Sequence, residues 1–65
     1  MNAQTLKGNW EQIKGRLKAK WSKLTDDDMG YIQGRREELA GKLRERYGWS
    51  KDVADRNIDE FIDTL

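Results

Sequence analysis

Apolar residues in this chain recur at helical spacing and rarely alternate, and that periodicity limits the fold more than any other feature. Leu6, Trp10, Ile13, Leu17, Trp21 and Leu24 step by 4, 3, 4, 4 and 3 residues. At about 100° per residue they form one narrow stripe along a helix. Met29, Ile32, Leu39, Leu43 and Tyr47 form a second stripe, and Ala54, Ile58, Phe61, Ile62 and Leu65 form a third. Proline is absent, so nothing blocks the helix interiors. The expected fold is all-α.

The helix ends are marked by particular residues. Gly48 suits the position after a helix, where φ is positive, and Trp49 can pack back on the helix that ends there. Ser50 caps the last helix, with Asp52 in its first turn. Gly30 and Gly34 weaken any continuous helix between them. Four helices are expected, at about 3–22, 26–33, 35–47 and 51–64, in one domain over 1–65. A chain of this length buries only about 60% of its unfolded surface.

A weak repeat appears at an offset of 26 residues. Gly8, Glu11, Gly15 and Leu17 match Gly34, Glu37, Gly41 and Leu43. Ile13, Arg16, Lys20 and Trp21 match Leu39, Lys42, Arg46 and Tyr47 conservatively. Two copies are too few for a solenoid, but they fit two similar helices, each packing one aromatic-ended stripe. The glycines fall on the faces opposite the stripes, at about 1 kcal/mol each relative to alanine. Close approach of another backbone, deliberate marginality and drift without meaning each account for them. Arg36 takes the stripe slot that Trp10 fills in the first copy, and is expected to snorkel at the core edge, against an aromatic face.

Most enzyme chemistry is closed to this chain. It has no Cys and no His, so it lacks a thiolate nucleophile, the usual base at neutral pH and the commonest metal ligand. Three adjacent carboxylates, Asp26, Asp27 and Asp28, invite a metal reading. Counted as a calcium loop from Asp26, the twelfth position is Glu37, but the sixth is Tyr31 where glycine is needed. Successive helical carboxylates also point about 100° apart. The better account is a helix start. Thr25 is the N-cap, Asp28 completes a capping box, and all three acids sit solvated in the first turn. No catalytic, cofactor-binding or metal residue is assigned, and no enzyme is expected.

Charge is distributed unevenly. Residues 1–24 carry six basic residues and one acid, whereas residues 50–65 carry two basic and five acidic ones. The net charge is +1. Arg16, Lys20 and Lys23 fall on one flank of the first stripe, and Lys7, Lys14 and Lys18 on the other. Arg16, Lys20 and Lys23 are the candidate contacts to an anion or nucleic acid. The plainer account is a solvated flank, complemented by the acidic last helix. Of the six aromatics, all but Tyr31 lie in a stripe or at a helix junction and are expected to pack in the core. Tyr31 is expected to be exposed. No apolar run of about 20 residues is present, so no membrane span is expected, and the expected location is cytoplasmic.

Two blocks cover most of the chain: GNWEQIKGRLKAKWSKLTDDDM at 8–29 and GRREELAGKLRERYGWSKDVAD at 34–55. They resemble the CsbD-like family of small bacterial stress-response proteins. The resemblance implies a small four-helix orthogonal bundle of helical hairpins, similar to the sterile alpha motif. It implies association with the general stress response without a fixed molecular activity, and it brings no functional residues. The reading is a non-enzymatic folded interaction module. The rivals are a hydrophilin-like protectant, suggested by 38% charged residues and a mean hydropathy of −1.08, and a nucleic-acid binder acting through the first helix. The sequence fixes neither a protein partner nor an oligomeric state.

Overall fold

The computed structural model describes the backbone of residues 3–65 and the side chains from Leu6 onward; residues 1 and 2 of the expected domain lie outside the described residues. Five helices are found among them: α1 (Ala3–Gly8), α2 (Trp10–Lys20), α3 (Asp26–Ile32), α4 (Arg36–Tyr47) and α5 (Lys51–Asp63). No strand occurs among the described residues.

The one helix expected at 3–22 is therefore two. Gly8 and Asn9 are weak interior residues, and the chain bends between them. Asn9 takes φ −115° and ψ 22°. Its carbonyl accepts from the amides of Gln12 and Ile13, each at 3.0 Å, and so starts α2 afresh. The other boundaries fall close to their expected places. Gly48 ends α4 at φ 71°. Ser50 caps α5 by accepting from the Val53 amide at 3.3 Å.

All six residues of the first stripe are buried. So are Met29, Ile32, Leu39 and Leu43 of the second, and Ala54, Ile58, Phe61 and Ile62 of the third. Leu65 is not: it lies beyond the α5 cap at Thr64 and is exposed, because the stripe outruns its helix. Helix α4 is central and packs against α1, α3 and α5. The end of α2 reaches α5 through Trp21 and Phe61, whose ring centroids are 5.2 Å apart.

The turn between α3 and α4 shows where a glycine is needed. Gln33 and Gly34 are both left-handed, at φ 48° and φ 77°. A Cβ on Gly34 would lie 2.7 Å from the Cα of Lys7. Close backbone approach is thus realised here, inside the fold, between the turn and α1. A Cβ on Gly8, Gly15 or Gly41 would meet nothing within 4 Å.

The two kinds of glycine should separate in urea melts. Gly34→Ala is expected to destabilise by about 2 kcal/mol or more, from left-handed strain and contact with α1. Gly15→Ala, helical and open, should stabilise by about 1 kcal/mol. Equal effects would contradict the packing of α1 on the turn.

Candidate anion-binding face

The acidic triplet is a helix start, as its spacing predicts. Thr25 Oγ1 accepts from the Asp28 amide at 3.1 Å, and the Thr25 amide donates to Asp28 Oδ2 at 3.0 Å, a complete capping box. The expectation that all three carboxylates are solvated is overturned at Asp28, which is 2% exposed. Arg46 of α4 grips it as a fork, Nε to Oδ2 at 2.9 Å and Nη2 to Oδ1 at 3.0 Å. Lys42 Nζ adds a contact at 3.6 Å. These hydrogen bonds from Arg46 hold the Asp28 carboxyl well below the usual carboxylate range, against the opposing effect of burial. Both oxygens are thereby occupied, while Asp26 and Asp27 are exposed, and Asp26 pairs with Lys18. The three acids do not converge on one point that could hold a metal ion.

The two flanks of α2 differ in how their charge is met. Lys14 pairs with Glu11 at 2.9 Å, and Lys18 pairs with Asp26. This flank borders an open groove of about 870 Å³ between α1–α2 and α3, lined by Trp10, Met29 and the bare backbone of Gly8, Gly15 and Gly30. On the other flank Arg16, Lys20 and Lys23 are all exposed. Among the described residues no carboxylate lies within 4.0 Å of any of them. Arg16 and Lys20 stand one turn apart on α2. Lys23 follows in the connection to α3.

Charge complementarity with the acidic last helix comes from a different place than expected. Arg36 of α4 meets Asp59 at 2.7 Å and donates to the Asp55 carbonyl at 3.2 Å. Lys51 also pairs with Asp55 at 2.8 Å. Arg36 does snorkel at the core edge, but it ends on carboxylates and not on an aromatic face. Asp55 and Asp59 of α5 are answered by α4 and by α5 itself, and among the described residues no acid of α5 pairs with the α2 cations.

The aromatics divide three ways. Trp10, Trp21 and Phe61 are buried, and Tyr31 is 54% exposed. Tyr31 is flanked by Arg35 at 5.6 Å and Lys42 at 4.9 Å from its ring. Tyr47 and Trp49 only half enter the core, and stack on each other with centroids 4.5 Å apart and planes 19° apart. Lys23 joins this stack: its Nζ is 5.0 Å from the Tyr47 ring and its amide donates to Tyr47 Oη at 3.4 Å. Lys20 lies 5.8 Å from the Trp21 ring. The stripe assigned Tyr47 to the core and the helix junction assigned Trp49 to it; both are only partly buried, and Trp49 packs back on the end of α4 past Gly48, as the glycine predicts.

The sequence pattern of the CsbD-like family matches residues 4–56. The chain is 51% identical over 61 residues to the UPF0337 protein YjbJ of Escherichia coli O6:H1, covering 94% of this chain and 88% of that one. It is 48% identical over 65 residues to the UPF0337 protein PA4738 of Pseudomonas aeruginosa, covering 100% of both. It is 44% identical over 63 residues to the UPF0337 protein ECA0631 of Pectobacterium atrosepticum, covering 97% and 91%. Among the described residues no helix is long and apolar enough to cross a membrane.

The Asp28 pairing predicts a pH signature. Its folded pKa is depressed, so its stabilisation is complete above the ordinary value of 3.8 and is lost as pH falls through the lower folded value. Asp28→Asn should cost about 2 kcal/mol at neutral pH. The variant should also lose part of the acid-side slope of stability below about pH 4. Asp55 is likewise lowered, chiefly by Lys51, so the difference between wild type and variant isolates Asp28. Parallel curves from pH 7 to pH 2 in denaturant titrations would refute the assignment.

Proposed function

The chain belongs to the CsbD-like family, and from that premise we propose that it is a non-enzymatic, folded interaction module of the bacterial stress response, acting on an anionic partner through Arg16, Lys20 and Lys23. The observation that carries this reading is the asymmetry of α2. One flank spends both of its α2 lysines, Lys14 and Lys18, on Glu11 and Asp26, and the other holds Arg16 and Lys20, followed by Lys23, which no carboxylate neutralises among the described residues. Cations without internal partners leave counterions to be released when a polyanion binds, which is where the affinity of such contacts originates.

The reading takes the chain as one cytoplasmic domain over 1–65 that uses no cofactor. It treats α1 and α2 as one broken helix of a four-helix, orthogonal, sterile-alpha-motif-like arrangement, on the ground that the first apolar stripe runs unbroken through both. A hydrophilin-like protectant works by hydration and weak shielding. The buried core and the Asp28 network favour a specific fold instead.

Affinity for a labelled nucleic-acid duplex, measured against salt, tests the face. Log K should fall linearly with log salt, and joint Arg16→Ala and Lys20→Ala should reduce the slope by about 2. Equal binding by the charge-neutral variant at every salt level would remove this face from consideration. Broad, non-cooperative thermal melting would sink the folded module and favour the protectant.

A further inference from the structure

We propose that the cationic face takes single-stranded nucleic acid in preference to duplex, with the Tyr47–Trp49 pair as the platform on which a base stacks. The inference rests on the anion-binding reading of Arg16, Lys20 and Lys23 and adds the class of its ligand.

The cations and the aromatic pair form one continuous surface. Lys20 follows Arg16 by one turn of α2 and lies 5.8 Å from the Trp21 ring. Lys23, two residues beyond Trp21, is held to Tyr47 by its amide and sits 5.0 Å from that ring. Tyr47 stacks on Trp49 at 4.5 Å. Phosphates along Arg16, Lys20 and Lys23 would therefore lead a strand to the two partly exposed rings. Their position is fixed before any ligand arrives. Trp49 stands between Gly48, the left-handed cap of α4, and Ser50, the N-cap of α5. A base gains affinity by stacking on an aromatic face without regard to its sequence.

A duplex gains less here. Its bases are already stacked and present no free π-face to Trp49. It is also stiff, and the acidic α5 begins immediately after the platform. Asp52, Glu60 and Asp63 of that helix have no cation within 4.0 Å among the described residues. A straight polyanion running past Trp49 meets this negative field, whereas a single strand can bend away from it. An acidic peptide would satisfy the cations but has no use for stacked rings.

Binding at low salt to three labelled probes tests this: an oligothymidylate, a duplex of equal length and poly-glutamate. The oligothymidylate should bind about tenfold more tightly than the duplex, and Trp49→Leu should abolish most of that advantage while leaving the salt slope unchanged. In the unmutated protein, the indole N–H resonance of Trp49 should shift with the oligothymidylate and not with the duplex. That observation stands even if Trp49→Leu fails to fold. Equal affinity for strand and duplex, or an unmoved Trp49 indole, overturns the base-stacking inference and leaves the anion-binding reading intact. Tighter binding of poly-glutamate overturns the nucleic-acid assignment in favour of an acidic protein. No binding to any probe removes both readings.

Discussion

The carboxylate of Asp28 is the fixed point from which the rest of this small fold is arranged. Burying an ion is costly unless its partner is well placed and its remaining lone pairs are filled. Asp28 meets both conditions. Arg46 contributes a two-point grip, and Thr25 closes the capping box on the same oxygen that receives Arg46 Nε. One side chain therefore starts α3 and locks it against the last turn of α4. The geometry extends outward from there. Tyr47 follows Arg46, Gly48 ends the helix, and Trp49 stacks back on Tyr47. Lys23 is then drawn to Tyr47 at 5.0 Å. The surface joining Lys23 to Trp49 has its position because α4 is pinned one residue earlier.

The parts of this structure that could be read in the sequence are those with a local cause. The stripes gave the core because helical periodicity is a property of neighbouring residues. Thr25, Ser50 and Gly48 announced helix ends because capping uses side chains and backbone within three or four positions. What escaped depended on contacts distant in sequence. Asp28 looked like a third solvated acid until Arg46, 18 residues on, closed over it. Leu65 kept the phase of its stripe, but α5 had already ended. The break at Asn9 is hidden in the sequence because the apolar phase runs through it undisturbed: Leu6 and Trp10, on either side of it, are both buried. The candidate cations could be named from their flank alone, but which flank of α2 would be neutralised could not. That was decided by Asp26, which reaches Lys18 only once α3 has folded beside α2.

The repeat explains why one copy keeps its charge free. At the offset of 26, Arg16 and Lys20 correspond to Lys42 and Arg46. The second pair faces Asp28: Arg46 is spent on it, and Lys42 is shared between it and Glu45 at 3.3 Å. The position matching Asp28 in the first copy is residue 2, an asparagine, which carries no charge. The same two helical positions thus bear cations in both copies, but only one copy supplies the carboxylate. In the second copy the cations tie α4 to α3 and work for stability. In the first they have no anion to answer them among the described residues, and neither α3 nor α5 sends one. A cation pair that the fold repeats but does not use internally is a feature of the surface. Its position beside a preorganised aromatic stack gives that surface a direction, from the middle of α2 towards Trp49.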